Sequence, residues 1–255
     1  MKNLIINFFK KNYFPIILKK FFKKFEKDNS LDAKNWAISN ITQTIDQFCM
    51  SIDPNLFKEI TDDTKSIENF AKNELSKLNV TLGGGGSFGL LYFLIRKIKP
   101  MNVVETGVAA GWSSLAILRA LKKNGKGFLY SSDFPYFRLE NPEQYIGYLA
   151  RNEKNKKNWY LDIRGDDIAL PEIIKRLGKN NIDLIHYDSD KSYSGRVNAI
   201  KNLNSKISIN TIVIFDDIQD NLHFKDFVES NKKNFYVFEY QGKYIGVTGL
   251  DNFLS

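Results

Sequence analysis

Cysteine, histidine and proline are scarce in this chain of 255 residues, which holds one, two and six of them. Cys49 has no second thiol with which to form an intrachain disulfide or a cysteine-based zinc module, and this fits a reducing, cytoplasmic setting. Long apolar runs are also missing. No uncharged stretch approaches the roughly 18 to 20 residues that a spanning helix needs, and no small-residue cleavage site follows the apolar N-terminal part. Neither a transmembrane helix nor a clear export signal is expected. Net positive charge is nearly missing from the body of the chain. The net charge is +8, but residues 1–30 hold eight lysines against two acids and leave the rest near neutral. Nothing there is spread out to grip nucleic acid, which is not expected as a partner.

The first 30 residues form a basic amphipathic arm. Apolar pairs such as Phe8 with Phe9 and Phe21 with Phe22 alternate with lysine pairs such as Lys10 with Lys11 and Lys19 with Lys20, and Pro15 interrupts any helix. Such an arm suits a helix packed on the body or on a second subunit, or one lying on an anionic membrane surface through residues 1–25. Residues 31–79 lack strand alternation and read as a small helical region, with runs at 36–50 and 67–78 and a polar break at 61–64. Four glycines, 83–86, then precede Ser87 and an apolar run at 88–98 that stops before Pro100; Ser87 is placed to cap that helix. The glycine run reads as a hinge or a tight contact, because no P-loop Lys-Ser/Thr pair follows it.

From residue 80 to the end the pattern is that of one α/β domain. Candidate strands are 102–106, 127–133, 159–164, 182–188, 211–216, 235–240 and 244–248. The first five are separated by segments long enough for crossover helices, and the last two make a hairpin about Gln241, Gly242 and Lys243. This predicts a Rossmann-like, doubly wound, mostly parallel seven-stranded sheet with a C-terminal antiparallel hairpin and an N-terminal helical region. A ligand should sit at the carboxyl ends of its strands.

The first strand runs into Glu105-Thr106-Gly107 and, after Gly111-Trp112-Ser113, into a helix. Gly107 and Gly111 allow close backbone approach where strand becomes helix, but the spacing is not the G-x-G-x-x-G of dinucleotide sites. The second strand ends at Asp133, where a carboxylate suits ribose hydroxyls, and the third is followed by Gly165-Asp166-Asp167. In this order the elements resemble the class I S-adenosylmethionine-dependent methyltransferases over residues 80–250. The resemblance implies that Glu105, Gly107 and Gly111 border the amino-acid part of the cofactor. It also implies that Ser113 binds its carboxylate, Asp133 its ribose, and Asp166 or Asp167 its adenine.

The fourth strand ends in His186-Tyr187-Asp188-Ser189-Asp190-Lys191 and the fifth in Asp216-Asp217, carboxylates that adjacent parallel strands bring to one edge, where Mg²⁺ or a similar ion would find oxygen ligands. Asp188 with Lys191 resembles the D-x-x-K of catechol and caffeoyl-coenzyme A O-methyltransferases, and the Asp-Asp pair resembles macrocin-type sugar O-methyltransferases. Both relatives are metal-dependent. The resemblance implies Asp188, Asp216 and Asp217 as metal ligands, Lys191 and Asp188 as catalytic residues with Lys191 as base, and a hydroxylated small molecule or sugar as acceptor. Tyr136, Arg138 and Tyr145 are candidates for the acceptor pocket and His223 for a substrate contact, while His186, inside an apolar strand, reads as a satisfied core histidine. Homodimerisation is a family-level expectation. The competing readings are a metal-independent methyltransferase, a nucleotide-binding oxidoreductase, and a non-catalytic interaction protein tethered to a membrane by the arm.

Overall fold

The protein is seen here as a computed structural model that describes residues 28–152 and 157–253 together with Asn3, Ile6, Asn7, Lys10, Tyr13, Phe14 and Ile17. Most of the arm expected at 1–30 lies outside the described residues. The described part of it meets the body. Asn7 Nδ2 donates to the carbonyls of Phe137 (3.0 Å) and Leu139 (3.2 Å), Tyr13 donates to Glu143, and the Tyr13 and Phe137 rings lie 5.1 Å apart. Among the described residues no helix is long and apolar enough to cross a membrane.

Strands β1 (Asn102–Thr106), β2 (Phe128–Ser132), β3 (Trp159–Asp162), β4 (Leu184–Tyr187) and β5 (Ile212–Phe215) are parallel, and β6 (Phe235–Tyr240) and β7 (Lys243–Thr248) form the closing hairpin. Their order is β3-β2-β1-β4-β5-β7-β6, with β7 antiparallel to β5. The buried patterns of β4 and β5 explain the topology. Their runs Leu-Ile-His-Tyr and Ile-Val-Ile-Phe are buried at every position, so both faces of the sheet must be covered. The order reverses between β1 and β4, and the crevice for a ligand opens there, at the carboxyl ends.

Helices α1 (Ser30–Ser39), α2 (Ile45–Ile52), α3 (Pro54–Leu75), α4 (Phe88–Ile98) and α5 (Trp112–Asn124) precede β2, with the short α6 (Tyr148–Arg151) before β3. Then follow α7 (Asp166–Leu177), α8 (Tyr193–Leu203) and α9 (His223–Ser230). One core layer joins α2 to α5 to the sheet through Phe48, Ile60, Leu91, Leu115 and Leu184. The other joins α1, α7, α8 and α9 through Ala37, Leu170, Leu203, Phe224 and Ile185. Successive strand residues point to opposite faces, so Leu184 and Ile185 belong to different layers.

The polar break expected at 61–64 does not form, and α3 runs through it. Thr61 and Thr64 hydroxyls bond back to the carbonyls of Phe57 and Ile60, both at 3.0 Å, so their polar groups are met within the helix. The run at 36–50 is divided instead. α1 stops at Ser39, and Thr44 and Gln47 build a reciprocal capping box that starts α2.

Candidate active site

The turn from β1 into α5 is shaped by two glycines with positive φ, Gly107 (+82°) and Gly111 (+94°). A Cβ on Gly107 would lie 2.3 Å from the carbonyl oxygen of Asp188, and one on Gly111 would lie 2.9 Å from Gly147 Cα. The glycines therefore let this turn sit against the end of β4 and against the loop before α6. The turn lines a pocket at the carboxyl edge with Ser113, His186, Asp188 and Asp216, roofed by residues 84–87. Its enclosed volume is about 30 Å³, room for a water or so.

Of the hinge or tight contact expected of the glycine run, Gly85 and Gly86 form a tight contact, whereas a Cβ on Gly83 or Gly84 would meet nothing within 4 Å. A Cβ on Gly85 would meet the Trp112 ring at 2.9 Å, and Gly86 takes a φ of +53° beside Asp216. Ser87 stands at the N-cap of α4, but its side chain caps nothing and its buried Oγ has no partner among the described residues.

Of the residues expected at the cofactor, Gly107 and Ser113 line this pocket. Glu105 lies beneath it, wholly buried, accepting from the hydroxyls of Ser113 (2.6 Å), Ser114 (2.6 Å) and Ser131 (2.7 Å). Its charge is met by three donors, and Ser113 is oriented by it. Asp133 accepts from the backbone N–H groups of Ala109 and Phe134, both at 2.6 Å, and burial lifts its pKa to about 7 despite those donors. It ties β2 to the β1 turn from behind. Asp166 accepts from Ser132 and Ser189, both at 2.6 Å, and so joins α7 to the ends of β2 and β4, whereas Asp167 is exposed on the first turn of α7.

At the ends of β4 and β5 the structure brings Asp188 and Asp216 to one pocket, but it turns Asp217 elsewhere. Asp217 has a left-handed backbone (φ +53°), and its carboxylate pairs with Lys191 and Lys243, each at 3.0 Å. Burial opposes its charge, but the two lysines outweigh burial and hold its pKa at about 2. The Lys191 ammonium also donates to Asp188. Burial disfavours that ammonium, yet Asp188 and Asp217 prevail and raise its pKa. Among the described residues no group of three or more His, Cys, Asp or Glu side chains is disposed to hold a metal ion. The donor set expected for Mg²⁺ does not fit as arranged, because an internal cation stands between two of its three carboxylates.

Two residues of the site escape motif reasoning. His186 is 2% exposed, yet neither ring nitrogen has a hydrogen-bond partner among the described residues, so it is not the satisfied core histidine expected. Nδ1 lies 3.9 Å from Glu105 and Nε2 3.7 Å from Asp216, beyond hydrogen-bond range. Burial acts against its protonated form, but the carboxylates of Asp216, Asp188 and Glu105 outweigh burial and raise its pKa. The signal was its place two residues before Asp188, on the same strand face. Arg196, wholly buried, donates through Nη2 to the carbonyls of Asp216 (3.0 Å) and Asp217 (2.7 Å) and so holds the turn after β5.

Other expectations are corrected. His223 starts α9 inside an aromatic cage, stacked on Phe227 with rings 6.0 Å apart and edge-on to Tyr193, and it does not line the pocket. Burial pushes its pKa down to about 3. Tyr136, Arg138 and Tyr145 do not line the pocket either. Their segment receives the contacts of Asn7, at Phe137, and of Tyr13, at Glu143.

Comparison with known proteins agrees with this geometry. Residues 104–218 match the family described as a methyltransferase domain. No curated protein matches the sequence. Similar solved structures include an O-methyltransferase from Bacillus cereus in complex with SAH, which is 13% identical with a TM-score of 0.55 and 83% of this chain and 99% of that one covered. Another is an O-methyltransferase from Streptomyces achromogenes involved in tomaymycin synthesis, in complex with SAM, at 14% identity and a TM-score of 0.54, with 71% and 86% covered. Residues 104–218 thus match a methyltransferase domain, and the chain has the Rossmann-like fold of the class I S-adenosylmethionine-dependent methyltransferases.

Proposed function

We propose that the protein transfers a methyl group from S-adenosylmethionine to a hydroxyl of a small molecule, phenol or sugar. The observation that carries this reading is the meeting of the Gly107 to Ser113 turn with Asp188, His186 and Asp216 in one pocket at the sheet's switch point. The residues fit the cofactor. Residues 84–87 roof the pocket and must lift to admit a molecule of that size, and the buried Ser87 Oγ and Trp112 Nε1, from residues lining it, lack partners among the described residues and can bond a ligand. Bound S-adenosylmethionine supplies an electrophilic methyl on a sulfonium.

The protein's own task is to place an acceptor oxygen and help it lose its proton. Lys191 is bracketed by two carboxylates and stays an ammonium, so it suits stabilising the anionic oxygen rather than acting as the base expected from the motif. Asp188, beside it, takes the proton; burial raises its pKa against the pull of Lys191. Glu105 orients Ser113, and Arg196 fixes the turn that carries Asp216. This is the metal-independent form of the reaction, favoured by the position of Lys191. The buried thiol of Cys49 accords with a cytoplasmic setting. The test is label transfer from S-adenosylmethionine carrying a tritiated methyl to a panel of phenols and sugars. Radioactive methyl ethers are expected; a stable, folded protein that labels none of them contradicts the reading.

A further inference from the structure

A second and larger cavity, of about 460 Å³, lies at the carboxyl edge between α2, α3, the start of α4 and the end of β6. Its size falls within the range of small-molecule sites. Phe57, Ile60, Phe88 and Leu90 supply apolar lining, and charged residues complete it. Asp46, Glu68 and Glu239 outnumber Lys65, with Glu68 already paired to Lys72 at 2.6 Å. An anionic guest such as a coenzyme A thioester would be repelled, while a neutral or cationic one would not.

Ser87 belongs to the lining of this cavity and of the cofactor pocket alike. It is 4% exposed, and its Oγ, without a partner among the described residues, is a hydroxyl waiting for one at the boundary of the two spaces. Beside it Phe88, which lines the larger cavity, packs on Trp112, which lines the cofactor pocket, with rings 5.6 Å apart. We propose that this cavity holds the methyl acceptor, a neutral or cationic aromatic alcohol or phenol. Its ring lies among Phe57, Ile60 and Phe88, and its hydroxyl passes Ser87 into the cofactor pocket. The proposal rests on the methyl-transfer reading and narrows it, since the apolar lining favours an aromatic body over a sugar.

The probe is 2-naphthol, titrated into the full-length protein with carbon-13 labelled isoleucine methyls, with and without S-adenosylmethionine. Shifts are expected at Ile45 and Ile60, which line the cavity, and not at Ile173 or Ile182 in the opposite core layer. Thr64→Phe, from a position lining the cavity and outside the cofactor pocket, is expected to weaken 2-naphthol at least tenfold while calorimetric affinity for S-adenosylmethionine is kept. Ser87→Ala, which leaves the cavity open, should weaken it severalfold. Absent shifts at Ile45 and Ile60, or unchanged binding in a folded Thr64→Phe variant, would overturn the proposal. Failure of the wild-type protein to bind S-adenosylmethionine, with 2-naphthol still bound at Ile45 and Ile60, would overturn the methyl-transfer reading and with it the acceptor role.

Discussion

The ammonium of Lys191, which also donates to Asp188 at the end of β4, lies 3.0 Å from the carboxylate of Asp217, just past β5. A cation belonging to the chain thus stands where a motif-based reading puts a divalent ion. Replacing it tests what it does. In Lys191→Met, kcat is expected to fall by about 10²–10³, the loss typical when one stabilising donor is removed from a developing oxyanion. Affinity for S-adenosylmethionine, measured by calorimetry, should change by less than about threefold, because Lys191 does not line the cofactor pocket. An equal loss in both would make Lys191 structural.

Chelation gives an independent check on the same cation. With Asp217 engaged by Lys191 and Lys243, the three carboxylates do not converge on one point. Methyl transfer should keep its rate within about twofold after exhaustive treatment with a chelator, and added Mg²⁺ should not raise it. Inactivation that stoichiometric Mg²⁺ reverses would show that the carboxylates rearrange around an ion.

Arg196 is predicted to matter through the backbone it holds. Arg196→Met removes the side-chain donor from the carbonyls of Asp216 and Asp217, the second of which keeps the Asp220 N–H, and is expected to cost about 2–4 kcal/mol in urea unfolding. Because the turn carries Asp216 into the pocket, kcat should fall more than KM rises. A variant with normal kinetics at permissive temperature would limit Arg196 to stability.

The pH dependence of folding should carry the mark of His223. Its pKa drops from 6.5 unfolded to about 3 in the aromatic cage, so the unfolded chain binds the extra proton between those values. This contribution to stability is therefore present above pH 6.5 and is lost as pH falls toward 3. At pH 5 the loss is on the order of 2 kcal/mol. His223→Phe should be acid-resistant by comparison, with the gap to wild type closing above pH 7. Parallel stability curves for the two proteins would place the histidine in solvent.

The sheet was legible because short β-branched runs and the crossover lengths between them leave few topologies. Strands at 102–106 and 235–240 appear with those bounds. Gly107, Asp188 and Asp216 were legible as residues at strand ends, where the topology gathers them, and Ser113 as one at the start of the helix that follows β1. Asp217 was misplaced because its backbone turns left-handed, which no spacing rule foretells, and the charge of Lys191 depends on neighbours distant in sequence. His186 was hidden by its apolar strand neighbours, and Arg196 by looking like one more helical cation. The break expected in α3 failed because threonine hydroxyls can be satisfied by their own helix.

The central claim, that the pocket between β1 and β4 binds S-adenosylmethionine, is tested most directly by calorimetric titration of the wild-type protein with that cofactor, with NAD as control. The account predicts one saturable site for S-adenosylmethionine and no heat from NAD. It predicts at least tenfold weaker binding in Gly107→Ala, whose Cβ would collide with Asp188. A folded protein that binds NAD, or neither compound, would contradict it.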